Sequence, residues 1–423
     1  MLHVEGDRLL LTEGDGETVV AAMDVPDEQR FVAGTIVAGP STFLVTGGRI
    51  DAFALPSLIL RWTRELTFRP HPRVVGNSEV VLVGGDARST VLPRVVALDA
   101  QTGATLWTKS APGLGVGTWL AGDAAYLGYH DRFVAVDLRT GIDRWSTALP
   151  NLTALFAHGG TLAVLADDAL IALDASNGHE RARTKVGSAH GAAHRDGIVY
   201  LKVTTGPAVP ALNVGALESV LAVDMASLQV MWRTAPYLTL GEPQESLALL
   251  GEDVLACTNE GVLRTLDARS GALRATIGLG RCSALLAREH GGQRWVHTLS
   301  FSRGDEGPVR LRGGAPSSRT MRVTGVVMTT AAPSPNVART PTPRAGALVS
   351  ALDATAVTDA AGRFDMKVQG SGAITVHAVA PVSDSSKGCG RYESGFAPVT
   401  ARGDEGEHEP VALILSRECV CGD

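Results

Sequence analysis

The strongest constraint on this chain is a short segment that it contains twice. Val96–Trp107 reads Val-Ala-Leu-Asp-Ala-Gln-Thr-Gly-Ala-Thr-Leu-Trp, and Val134–Trp145 reads Val-Ala-Val-Asp-Leu-Arg-Thr-Gly-Ile-Asp-Arg-Trp. Both place Thr-Gly shortly after an Asp and a Trp on the far side: Asp99, Thr102, Gly103, Trp107, and Asp137, Thr140, Gly141, Trp145. Weaker copies keep the frame. Asp174 is followed by Gly178, with Ala182 at the Trp position. Asp224 is followed by Ser227, Leu228 and Trp232, and Asp267 by Ser270, Gly271 and Ala275. Upstream, Ala54 takes the Asp position before Trp62, and Asp24 is a degenerate seventh anchor. The anchors are spaced by roughly 40 residues, the length of a four-stranded unit that packs only against its neighbours.

The unit has a physical logic. An apolar strand ends at the Asp, whose side chain accepts hydrogen bonds from turn N–H groups, and Gly supplies a φ > 0 position. The outgoing strand carries the Trp, a rigid plate suited to filling space between units. Short apolar runs near Val81, Tyr126, Leu162, Val199 and Leu255 precede these strands, each after a turn. Gly is abundant at 48 residues and aromatics are scarce at 5%, which favours strands and turns over helices. The expected fold is therefore all-β, a seven-bladed β-propeller over residues 1–315. Eight blades is the alternative, because strand-like stretches at 295–300 and 309–312 follow the last anchor. One of these is expected to pair with Leu9–Thr12 and close the ring.

The repeated Asp, Thr-Gly and Trp resemble the PQQ-like β-propeller repeat found in quinoprotein dehydrogenases and in an outer-membrane assembly lipoprotein. The resemblance implies a rigid disc whose loops bind partners or, in the enzymes, a quinone. Those enzymes use an adjacent Cys–Cys pair beside the cofactor. This chain has none, and Cys257 and Cys282 read as isolated, so no cofactor is expected.

Composition changes over residues 303–320, which are rich in Gly, Pro, Ser and charge, marking a linker. A small β-sandwich is expected at 321–423 from alternation and turn spacing. Val323, Gly325, Val327, Gly346, Ala347, Val349, Thr358, Asp359, Gly362, Arg363 and Phe364 resemble the carboxypeptidase regulatory-like, transthyretin-type domain. That resemblance implies a tight turn from Asp359 to Gly362, Phe364 as a core plug, and an accessory module without catalysis.

Motifs for common chemistries are missing: no G-x-S-x-G, no P-loop lysine and no H-E-x-x-H. Gly113–Gly117 reads as a blade loop. His190 and His194 have ligand-like spacing but poor helical context, which favours a loop-packed pair over a metal site. Cys389, Cys419 and Cys421 form a possible thiol cluster, open to free thiols, a disulfide or zinc. His130, Asp131, Asp167 and Asp168 are the only acid/base candidates for a site at the disc's central mouth. The long insert Thr204–Leu217 reads as an apolar loop for partner contact, with Val209, Pro210, Leu212 and Val214 as contact residues, and Asp86–Pro93 is a second elaboration.

A net charge of −6 disfavours nucleic acid. No run of about 18 apolar residues suggests membrane insertion. The first residues lack the pattern of a signal peptide and five Cys is an odd count, so a cytoplasmic location is expected. The expected function is a non-enzymatic protein-interaction scaffold within a larger assembly. The alternatives are an enzyme with a site at the central mouth and an exported envelope assembly factor.

Overall fold

The computed structural model describes residues 2–5, 8–12, 19–24, 34–38, 40–46, 48–66, 70–85, 94–110, 114–209, 214–239, 246–258, 262–279, 284–290, 293–299, 309–311, 319–329, 341–352, 354–381, 392–399 and 411–415. Among them the secondary structure is all β, in successive antiparallel sheets. The first has three strands (Leu2–Glu5, Arg8–Thr12, Val19–Asp24). Four-stranded sheets follow: the second over residues 34–65, the third over 70–110, the fourth over 114–147 and the fifth over 152–185. The sixth, over 188–239, gains a fifth strand. The seventh spans 247–279, and the eighth has three strands (Ala284–His290, Gln293–Leu299, Val309–Leu311). In the first seven, the strand before the repeated turn ends at an anchor: Asp24, Ala54, Asp99, Asp137, Asp174, Asp224 and Asp267. The eighth carries the two late stretches noted in the sequence. Leu9–Thr12 pairs within the first sheet, with Leu2–Glu5 and Val19–Asp24, and not as a closing partner for those stretches.

The middle strands are apolar on both faces. Ala124–Tyr129 and Thr161–Ala166 are buried at every residue. A strand covered on both sides has no solvent face to make polar, so it reads as a continuous apolar run. The Gly-rich Leu114–Gly117 begins the first strand of the fourth sheet instead of forming a loop. A register shift between Leu114 and Gly117 takes up the irregularity.

Three of the repeated turns, at Asp99, Asp137 and Asp267, are built the same way. Asp137 Oδ1 accepts the Thr140 N–H at 2.9 Å, the Arg139 N–H at 3.1 Å and the Thr140 hydroxyl at 2.9 Å. The Asp99 and Asp267 turns repeat this with Thr102 and Ser270. At Asp137, Asp174 and Asp267 an arginine in the outgoing strand completes the cluster. Arg144 donates to Asp137 Oδ2 at 2.7 Å and to Asp123, Arg181 donates to Asp174 at 2.6 Å, and Arg274 pairs with Asp253 and Asp267. These bonds favour the charged carboxylates. Arg144 and Thr140 hold Asp137 below the ordinary range, and Ser176 and Arg181 do the same for Asp174.

The Trp side chains join one sheet to the next. Trp62 Nε1 donates to Ala100 O at 3.2 Å, Trp107 to Leu138 O at 2.9 Å, Trp145 to Ala175 O at 2.9 Å, and Trp232 to Ala268 O at 3.0 Å. Every acceptor is the residue directly after the next sheet's anchor. Each indole also covers that sheet's turn glycine. A Cβ on Gly141 would lie 2.7 Å from Trp107 Cγ, and one on Gly178 2.4 Å from Trp145 Cε3. These glycines have φ near +70°, so glycine is required both for the turn and for the ring lying on it. The fifth sheet has Ala182 at the Trp position, and the next turn has Leu228 in place of glycine, 5% exposed with φ +55°.

By contacts the chain forms two compact units: Met1–Val186 with Asp224–Gln229, and Gly187–Val223 with Val230–Asp423. Within the second unit, the C-terminal part is a sandwich built around one long strand, Arg363–Pro381. Its first half pairs antiparallel with Arg319–Thr329, which also pairs in parallel with Val411–Leu415. Its second half pairs with Leu348–Ala351 and Tyr392–Val399. Val323, Val327, Val349, Phe364, Met366 and Leu413 fill the core between them. Asp359 holds its turn by accepting the N–H groups of Ala361 and Arg363, both at 2.8 Å. Ile277–Leu279 at the edge of the seventh sheet pairs in parallel with Ser371–Ala373. Among the described residues no helix is long and apolar enough to cross a membrane.

Truncating Trp107 or Trp145 to Ala is expected to cost about 3–5 kcal/mol in denaturant unfolding, the range for a buried aromatic; a loss below about 1 kcal/mol would contradict the seam packing. Acid stability follows from the turns. The Ser270 hydroxyl and N–H hold Asp267 at about 2, with Arg274 assisting. A carboxyl depressed on folding stabilises above its unfolded value, and the gain is lost as pH falls toward the folded value. Asp267→Asn should therefore flatten the fall in stability between about pH 4 and pH 2, measured by urea titration; an unchanged slope would count against the turn assignment.

Candidate interaction surface

The second and third strands of the sixth sheet, Ile198–Val209 and Val214–Asp224, are 12 and 11 residues long. The first strand, Ser188–Arg195, pairs only as far as Thr204. The hairpin therefore runs past its own sheet. Tyr237–Thr239 adds a short third strand beside Ala216–Glu218, and Thr205 Oγ1 donates to Leu217 O at 3.0 Å. The segment expected to be a loop is thus a β-hairpin. β-Branched and apolar residues in alternation satisfy their backbone groups across the hairpin, which a loop of that composition could not do.

The hairpin's root is charged and dry. Lys202 is 1% exposed and Glu218 is fully buried, with 3.4 Å between Nζ and Oε2. Lys202 Nζ also donates to the Cys257 carbonyl at 2.7 Å and lies 3.4 Å from Ser246 Oγ. Ser246 Oγ donates to the same carbonyl at 2.5 Å, and the Cys257 N–H returns a bond to Ser246 O at 3.1 Å. Cys257 ends a strand of the seventh sheet and Ser246 directly precedes its first strand, so the pair ties the hairpin's root across a seam. The Arg264 guanidinium lies 3.9 Å from the Tyr237 ring centroid and makes a second tie. Desolvating two charges is costly, and only good geometry with further hydrogen bonds repays it.

Cys257 is itself buried and disulfide-bonded. The sequence reading of it as isolated is corrected: pairing depends on which segments meet in space, and residue spacing does not carry that. Cys282 lies outside the described residues, as do Cys389, Cys419, Cys421, Pro210, Leu212 and Asp86–Pro93. Val209 and Val214 end the two hairpin strands.

The other candidates do not converge. His190 and His194 sit in one strand, Ser188–Arg195, where four residues of rise separate them by roughly 13 Å. His130 and Asp131 occupy an exposed turn. Asp167 accepts from Asn151 Nδ2 at 2.8 Å, and Asp168 pairs with Lys185 at 2.7 Å. The hydrogen bond from Lys185 pulls the Asp168 carboxyl below its ordinary value, which suits a solvated ion pair and not a proton donor. Among the described residues no group of three or more metal-ligating side chains occurs.

The sheets, their seams and this hairpin define a propeller of PQQ-like repeats. A family model described as outer membrane protein assembly factor BamB matches residues 46–157 and 94–333, and the chain belongs to that family. No curated protein matches the chain. Among solved structures, BamB from Moraxella catarrhalis aligns at 14% identity over 70% of this chain and 90% of its own, with a TM-score of 0.52. A europium-containing methanol dehydrogenase aligns at 12% identity over 70% and 81%, TM-score 0.51. A quinohemoprotein alcohol dehydrogenase from Comamonas testosteroni aligns at 13% identity over 68% and 67%, TM-score 0.50. At these identities the likeness is one of fold.

The family match corrects the expected cytoplasmic location, because its model describes an outer-membrane assembly factor. The physical ground for that expectation was weak: sheet packing is indifferent to compartment, and an odd cysteine count does not prevent one pair from forming.

Glu218→Ala should cost about 3–5 kcal/mol in urea unfolding, because it strands a buried ammonium. Lys202→Met with Glu218→Leu should recover most of that loss. A cost below about 1 kcal/mol for the single change would mean that water reaches the pair.

Proposed function

We propose that this chain is a non-enzymatic protein-interaction scaffold working within a larger envelope assembly. The observation that carries the reading is the hairpin, which extends past its sheet on a root of buried charge. Extending strands beyond the packed sheet adds ordering cost without adding core. Mounting them on Lys202, Glu218, Ser246 and Arg264 stiffens them, and a stiff element loses less entropy when it binds. Val209, Pro210, Leu212 and Val214 are the contact residues in this reading. Family membership supports a role in assembly, and the disulfide at Cys257 suits an oxidising compartment. The Asp168 carboxylate, paired with Lys185 and held below its ordinary value, is a poor general acid, and the net charge of −6 suits a protein partner over nucleic acid.

We take residues 1–315 and 321–423 as separate domains and the second as a carboxypeptidase regulatory-like accessory module. The Asp359 turn and the buried Phe364 support that assignment.

Replacing residues 205–216 with a short Gly/Ser linker keeps Lys202 and Glu218 in place. Melting should be nearly unchanged while co-purification of the partner from the native host is lost. If the replacement melts the propeller, the hairpin is structural. If the partner is retained in full, its binding surface lies elsewhere, and the C-terminal sandwich is the next candidate.

A further inference from the structure

The carbonyl that Lys202 reaches belongs to the disulfide-bonded residue. Cys257 ends the second strand of the seventh sheet, is buried, and has both backbone polar groups engaged by Ser246. Its carbonyl takes the shortest bond made by Lys202, at 2.7 Å, and the Lys202 ammonium stands against the Glu218 carboxylate on the hairpin's other strand. A covalent bond at Cys257 fixes the strand end that presents this carbonyl. The same bond therefore fixes the point from which the buried pair holds both hairpin strands.

We propose that oxidation of Cys257 is the step that mounts the hairpin. Two cysteine thiols lose two protons and two electrons to form the S–S bond, and the disulfide of a thiol–disulfide oxidoreductase accepts them and leaves as a dithiol. Before that step the Cys257 end of the strand is unpinned. The Lys202 ammonium then lacks a fixed third partner, and the hairpin's root opens by local fluctuation without unfolding the chain. After it, the root is closed. The projecting strands thus become rigid only where disulfides form and persist, which confines the contact-competent form to an oxidising compartment. The consequence for binding rests on the hairpin being the contact element, but the mounting itself does not.

Hydrogen exchange on the full-length protein, with no partner present, tests this. Oxidised protein is compared with protein reduced by dithiothreitol and alkylated, and with Cys257→Ser, which needs no reductant. Peptides from Ile198–Val209 and Val214–Asp224 should exchange at least tenfold faster without the disulfide, while Phe133–Thr147 keeps its rate. In Lys202→Met/Glu218→Leu, where the carbonyl tie is gone, reduction should change the hairpin by less than twofold. Three results would overturn the proposal: unchanged hairpin exchange in both disulfide-free forms, equal acceleration of Phe133–Thr147, or a full effect of reduction in the double variant. Loss of partner binding after hairpin replacement, with no response of exchange to reduction, would leave the scaffold reading standing and remove the oxidative step.

Discussion

The seam between sheets depends on one arrangement, an indole lying on a glycine and donating its N–H to the next carbonyl along. Trp62, Trp107, Trp145 and Trp232 make it, each over a glycine with φ near +70°. The turn explains why the site is free for the ring. Asp ties the turn's N–H groups to its own carboxylate, at Asp137, Asp174 and Asp267 an arginine in the outgoing strand takes the other oxygen, and glycine completes the reversal without a side chain. The hydrogen bond then sets how far along the seam the ring sits. Apolar area alone would allow sliding, and a single donor aimed at a single carbonyl does not. Where the Trp is missing, at Ala182, the matching turn carries Leu228 instead of glycine.

The sixth and seventh sheets use polar groups in addition. The seam contains Trp232 over Gly271, the buried Lys202–Glu218 pair, and Arg264 over Tyr237. The extra ties coincide with a hairpin whose strands run past their sheet. A projecting hairpin exerts leverage on its root, and directional polar contacts resist that leverage where apolar packing would slip. Geometry and burial thus meet at one element.

Much of this was legible in the sequence because the repeat is local. Asp, Thr, Gly and Trp fall within a dozen residues, so the anchors Asp99 and Asp137 fix the sheet frame, and the late stretches near Trp295 and Val309 mark the eighth sheet. The arginines at 144, 181 and 274 carry the same signal and were missed, although they stand at a constant distance from each anchor. The candidate surface was only half legible. Val209 and Val214 end strands where a loop was expected, because prolines at 207 and 210 read as a break although the two strands are neighbours in one sheet. Lys202 and Glu218 gave no signal, since an isolated charge in a strand is usually solvated and only the fold reveals that both are buried. The Cys257 disulfide is likewise a property of proximity in space.

The central claim is that the Trp and the next sheet's glycine form a single unit, and a double-mutant cycle tests it most directly. Trp107→Ala, Gly141→Leu and the double variant place in one seam the residue types that the sequence carries at Ala182 and Leu228. Each single change should be strongly destabilising in urea unfolding: the first opens a cavity, and the second drives a side chain into the indole. The double variant should be more stable than the sum of the singles by at least about 1 kcal/mol, the coupling expected of residues in contact. Additivity within about 0.5 kcal/mol would contradict the account, because it would mean that ring and turn are packed independently.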